Sequence, residues 1–147
     1  MFEKLESLTL LVKQIVRFAG TKAKSLGHAE VSTEHLLFGM LHEGSGRAIL
    51  IFKSLRLSVE QILSATDACL QAGDFSLRNE VPLSADAEEV LNCAIREAEL
   101  MHWGYAGTEH LLLALLQEHE SIACQVLNRF GVRLEQVRPI VHEFLTP

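Results

Sequence analysis

The feature that most constrains this 147-residue chain is that it repeats itself. Shifted by 75 residues, TEHLLFGMLHE at 33–43 falls on TEHLLLALLQE at 108–118. Thr33, Glu34, His35, Leu36 and Leu37 meet identical residues at Thr108, Glu109, His110, Leu111 and Leu112. The same register pairs Ala19 with Ala94, Ala23 with Ala98, Ala48 with Ala123, and Glu60 and Gln61 with Glu135 and Gln136. Conservative pairs such as Thr9/Ser84, Val16/Leu91 and Leu55/Phe130 fill the intervals without a gap. A register held this long marks a tandem duplication, so each half must fold into the same unit.

That unit reads as four helices. Ala87, Val90, Leu91, Ala94, Ile95, Ala98 and Met101 recur at three- and four-residue steps, the stripe of an amphipathic helix. Leu8, Leu11, Val12, Ile15, Ala19, Ala23 and Leu26 form the matching stripe in the first half. Ser84 stands at an N-cap position with Asp86 in the first turn, and Thr9 is its counterpart. Thr33 and Thr108 read as N-caps of a short, strongly apolar second helix. A third helix is expected near 46–55 and 121–130, and a fourth near 58–71 and 133–145. No stretch alternates with the period of a strand. The expected fold class is therefore all-α, eight helices arranged as two pseudo-twofold four-helix repeats. Repeat one spans 1–72 and repeat two 84–147, joined by the linker GDFSLRNEVPL at 73–83, which Gly73 and Pro82 interrupt. Each half carries more apolar surface than four short helices can hide alone, so the halves are expected to pack as one domain.

Composition narrows the function. A chain 48% hydrophobic and 22% charged is globular. Thirteen basic against nineteen acidic residues leave a net charge of −6, which argues against nucleic acid and an anionic membrane surface as partners. No window approaches the roughly 18 continuous apolar residues of a membrane span. Glu3 and Glu6 precede the first apolar run and Lys13 and Arg17 cut through it, unlike a signal peptide. Cys69, Cys93 and Cys124 are odd in number and widely spaced among apolar residues, which suits reduced thiols and a cytoplasmic chain. There is no HExxH or Cys/His cluster for a metal, and GSGR at 44–47 lacks the lysine and preceding strand of a phosphate loop. With no GxSxG elbow or Cys/His pairing either, neither a cofactor nor an enzymatic activity is expected.

Interaction chemistry concentrates at the two TEH motifs. A helix start offers unpaired N–H groups and a positive dipole end, which can hold an anion. Glu34 and Glu109 in the first turn can take a guanidinium in bidentate fashion, or can merely complement the dipole. His35 and His110 read as buried helix-start residues rather than metal ligands. Trp103 and Tyr105 occupy the loop entering Thr108, where they either pack beneath it or meet a partner. Phe2, Phe75 and Leu77 lie outside the apolar stripes and are candidate docking residues. Thr9 and Ser84, at the starts of the two long helices, are expected on the same surface as the TEH corners.

The strings LGHAEVSTEHLLFGMLHEGSGRA and YAGTEHLLLALLQE resemble the duplicated N-terminal domain of the Clp/heat-shock AAA+ unfoldases, most nearly the ClpC type, over essentially the whole chain. The resemblance implies an all-helical, non-catalytic module standing on an ATPase ring. There it would dock adaptor proteins and capture substrate proteins for an AAA+ unfoldase, in the same chain or as a separate protein. In ClpC-type members it also implies recognition of phosphorylated arginine through the glutamates of the two motifs, here Glu34 and Glu109. The chain departs from that pattern in several places. Met101, His102 and Trp103 stand where the first repeat has Leu26, Gly27 and His28. Glu118, His119, Glu120 and Ser121 replace a glycine turn, Arg56 stands opposite Gly131, and Val12 takes a usual alanine position. Two further functions suit the same fold: a free-standing accessory protein that binds the Clp machine, and a small-molecule binder with an enclosed apolar pocket.

Overall fold

A computed structural model describes residues 4–71 and 81–144. The docking candidates Phe2, Phe75 and Leu77 lie outside them. Among the described residues there are eight α-helices and no named strand: α1 (Leu10–Ser25), α2 (Thr33–Glu43), α3 (Arg47–Ser54), α4 (Val59–Ala68), α5 (Ala85–Leu100), α6 (Thr108–Gln117), α7 (Ile122–Arg129) and α8 (Leu134–Glu143). A 3-10 turn at Leu5–Ser7 precedes them. Local chemistry sets several of the starts. Thr9 Oγ1 accepts from Val12 N at 3.2 Å, Ser84 Oγ from Ala87 N at 3.1 Å, Ser58 Oγ from Gln61 N at 3.2 Å and Ser121 Oγ from Cys124 N at 3.1 Å. Each satisfies one of the orphan donors of a helix N-terminus.

The second helix of each repeat lies at the centre. From Thr108 to Leu116 every residue of α6 is buried, and α2 is buried from His35 to Leu41. A helix apolar all round can be stable only when it is enclosed on every side. Here α1 packs on α2 and α5 on α6, while α3 lies on α6 and α7 on α2. Each repeat therefore lends its third helix to the other, and one continuous core holds Leu36, Leu37 and Met40 with Leu111, Leu112 and Leu115. Two isolated parallel bridges, Leu8 with Ala106 and Val31 with Leu83, tie the repeats at the edges. A shift of 75 residues converts one bridge into the other with its partners exchanged, which is the signature of a pseudo-twofold axis.

One expectation is corrected. Thr33 and Thr108 are the first helical residues, and the caps are Ser32 and Gly107. The histidine three residues after each cap accepts the cap N–H: Ser32 N donates to His35 Nδ1 at 2.8 Å and Gly107 N to His110 Nδ1 at 3.0 Å. That frees the threonine hydroxyls to cross between repeats. Ala48 N at the start of α3 donates to Thr108 Oγ1 at 3.0 Å, and Ala123 N at the start of α7 donates to Thr33 Oγ1 at 3.4 Å. Thr108 thus caps α3 of the opposite repeat, and Thr33 makes the corresponding, longer contact at the start of α7, whose own cap is Ser121.

The departures in the turns have a backbone cost. Gly27 and Gly131 take left-handed φ of 74° and 81°, and their counterparts His102 and Arg56 are held at φ 60°. An L-residue there is disfavoured by roughly 1–2 kcal/mol.

Candidate functional site: two helix-terminus corners

Two shallow cavities flank the pseudo-twofold axis. The first, about 290 Å³, is lined by Glu30, by Ser32, Thr33 and Glu34 at the start of α2, by Ser84 and Asp86 at the start of α5, and by Glu120, Ser121 and Ile122 at the start of α7. The second, about 390 Å³, gathers Thr9 and Leu11 at the start of α1, Gly46 and Arg47 at the start of α3, and Gly107, Thr108, Glu109 and His110 at the start of α6. Trp103, Gly104 and Tyr105 complete it. The shift of 75 residues carries most of one lining onto the other. At each corner three helix N-termini converge, so N–H groups and positive dipole ends face one space. The sequence candidates assemble as two sets: Thr33, Glu34 and Ser84 at the first corner, and Thr108, Glu109 and Thr9 at the second.

The corners differ in chemistry. The first is walled by four carboxylates, Glu30, Glu34, Asp86 and Glu120, with no basic residue in its lining. Glu34 is half-buried, with Oε1 3.4 Å from Thr33 Oγ1. At the second, the Glu109 side chain is 6% exposed and its Oε2 accepts from Arg47 Nη1 at 2.8 Å. Gly107 permits this pose, because a Cβ there would overlap Glu109 Oε1; its counterpart in the first repeat is Ser32, which carries a Cβ. Gly46 has a parallel role, since a Cβ would come within 2.7 Å of Thr108 Oγ1 and part it from α3. The Arg47 guanidinium carbon sits 5.0 Å from the Trp103 ring centroid and 5.2 Å from that of Phe144. Trp103 therefore packs against a cation of its own chain.

The histidines divide in the same way. His35 Nδ1 accepts from Ser32 N, so its Nε2 carries the proton and donates to His28 Nδ1 at 2.7 Å. His28 Nε2 in turn donates to the Gln71 carbonyl. Burial, with His28 adding to it, pushes the His35 pKa down from 6.5 to about 4. In the second repeat Trp103 takes the place of His28, and His110 Nε2 is buried with no hydrogen-bond partner among the described residues. Burial lowers the His110 pKa as well, against an opposing pull from Glu109. Burial raises the thiol pKa of Cys93 and of Cys124, so neither is an activated nucleophile. Among the described residues no group of His, Cys, Asp or Glu could hold a metal ion, and no helix is long and apolar enough to cross a membrane.

Arg47 was not legible as a site residue from its own neighbourhood. A signal did exist: the internal register pairs it with Ile122, a charge opposite an aliphatic just before the matched Ala48 and Ala123. Its partner Glu109 is 62 residues away, beyond any local motif.

These features define an all-α, pseudo-twofold double-repeat domain with two corners, each built from three helix N-termini. The chain belongs to the Clp repeat (R) N-terminal domain family, which matches residues 7–105 and 83–147. It is 33% identical over 138 residues to an ATP-dependent Clp protease ATP-binding subunit ClpA homolog of Cyanidium caldarium, covering 94% of this chain and 16% of that protein. It is 32% identical over 133 residues to the negative regulator of genetic competence ClpC/MecB of Bacillus subtilis, covering 90% of this chain and 16% of that protein. The chain thus spans about one-sixth of the length of these relatives. Among solved structures, the N-terminal domain of the ClpV1 ATPase from E. coli superposes with a TM-score of 0.80 at 22% identity, covering 92% of this chain and 84% of that one. A ClpV N-domain in complex with a VipB peptide superposes with a TM-score of 0.68 at 19% identity, covering 96% and 88%.

Proposed function

We propose that this chain is a non-catalytic docking domain that captures adaptor and substrate segments for a Clp-type AAA+ unfoldase. The observation that carries the proposal is the pair of corners, each placing three helix N-termini beside a first-turn glutamate. Such a corner suits a ligand with a cationic and an anionic part. Backbone N–H groups at the helix starts take the anion, and the glutamate takes a guanidinium. Phosphoarginine in an extended segment carries both parts on one side chain, and it is the ligand we assign, with Thr33 and Glu34 as the contact residues at the first corner and Thr108 and Glu109 as their counterparts at the second, where Arg47 already holds the glutamate. Thr9 and Ser84 sit at the rims, where a bound segment would pass. The peptide-bound ClpV N-domain, which shares this fold, supports segment docking as its general mode.

Calorimetric titration of phosphoarginine tests the assignment, with arginine and phosphoserine as half-ligands and Glu34→Ala and Glu109→Ala as variants. Binding that requires both halves of the ligand, is lost in Glu34→Ala and survives in Glu109→Ala supports it. Absence of heat from the folded domain removes phosphoarginine and leaves docking of unmodified segments.

A further inference from the structure

We infer that the Glu109 corner is a guanidinium-binding cage already filled by the chain's own Arg47, so that the domain presents one open ligand corner, at Glu34, rather than two. Glu109, Trp103 and Phe144 all belong to the second repeat, and Arg47 reaches them from the first turn of α3 in the other. The geometry is that of ligand recognition: a buried carboxylate oxygen at 2.8 Å from Nη1, and two aromatic rings about the guanidinium at 5.0 and 5.2 Å.

Local rules do not account for an arginine at this position. The first turn of α3 contains no acidic residue, and a cation there opposes the positive end of the helix dipole. A residue that breaks its local rule is kept by a longer-range contact, and the contact here is the cage. The pseudo-twofold supplies an internal comparison. Position 47 corresponds to Ile122, Trp103 to His28 and Phe144 to Cys69, so the Glu34 corner has neither the arginine nor the aromatic walls. No cation is ion-paired with Glu34 among the described residues. At one corner the glutamate is thus held and neutralised by Arg47, while at its twin the glutamate stays unpaired in an acidic lining. The Arg47 side chain remains 41% exposed, so the cage opens to solvent and a small cation can reach it once the arginine is removed.

Chemical rescue tests the cage without reference to any partner. Arg47→Ala is expected to lower the thermal midpoint, and guanidinium chloride at low millimolar concentration to raise it again. Sodium and ammonium chloride at equal ionic strength should not, and guanidinium should leave the wild type and Arg47→Ala/Glu109→Gln unmoved. Arg47→Ile, which copies the counterpart residue Ile122, serves if the alanine variant does not fold. Equal response of variant and wild type to guanidinium would overturn the cage. The count of open corners rests on the function proposed above and is read separately, by phosphoarginine titration. One site is expected in the wild type and two in Arg47→Ala. Two sites in the wild type would overturn the blockade. Failure of phosphoarginine to bind any variant would overturn only the ligand assignment, with guanidinium rescue still deciding the cage.

Discussion

Replacing Thr108 by valine probes the crossed capping that joins the repeats. The substitution keeps the volume of a side chain only 3% exposed and removes the hydroxyl that accepts from Ala48 N at 3.0 Å. The cap residue of α3 is Gly46, which has no side-chain acceptor, so the Ala48 N–H loses its partner. A buried donor left unpaired costs about 1–3 kcal/mol, and loss of a helix cap about 1 kcal/mol. These figures describe the same event and are not summed; the expected loss is about 1–2 kcal/mol, or a midpoint lower by roughly 2–8 °C for a domain of this size. Thr33→Val is the internal control. Its contact with Ala123 N is 3.4 Å, near the limit of a hydrogen bond, and α7 keeps its own cap at Ser121. It should cost no more than about 0.5 kcal/mol. Urea unfolding followed by helix ellipticity measures both. A Thr108→Val protein as stable as the wild type would refute crossed capping of α3, and a Thr33→Val protein equally destabilised would refute the weakness assigned to the 3.4 Å contact.

Three further outcomes follow from the turns and the histidines. His35 is held neutral, its folded pKa of about 4 lying below the ordinary 6.5, so it stabilises the fold above pH 6.5 and that contribution is lost as pH falls toward 4. Its full size is about 3 kcal/mol, and the unfolding free energy of wild type should fall more steeply between pH 6.5 and 4 than that of His35→Gln, by close to one proton. Parallel slopes would show that His35 is not the titrating group. Arg56→Gly should raise stability by about 0.5–1 kcal/mol by relieving a left-handed residue, and His102→Gly should do the same, since both side chains are exposed. A loss on either substitution, in thermal unfolding, would mean that the side chain makes a contact outweighing the strain. Gly107→Ala should turn the Glu109 carboxylate off Arg47, since a Cβ there overlaps Oε1; unchanged Arg47 guanidinium NMR signals would show that the ion pair survives.

Much of the fold was legible because duplication states the same constraint twice. A stripe that is ambiguous in one half, such as Leu8 to Leu26, is fixed by its cleaner copy from Ala87 to Met101. The caps at Thr9 and Ser84 were readable for the same reason, being local in sequence. What was not legible depends on distance along the chain. Thr108 and Ala48 are 60 residues apart and Thr33 and Ala123 90, so the hydroxyls read as local caps when they are crossed ones. The asymmetry of the corners was equally hidden. Identical TEH motifs suggested equivalent glutamates, whereas the difference lies in Gly107 against Ser32 and Arg47 against Ile122, residues that carry no motif alone.

Amide mapping of a phosphoarginine peptide on the isotope-labelled domain tests the central claim most directly. Saturable shifts are expected only at residues 30–34, 84–86 and 120–122, the three helix starts around Glu34, with the amides of 46–47 and 107–110 unmoved. Shifts on a surface remote from both corners, or none at saturating peptide, would contradict a docking function based on the Glu34 corner.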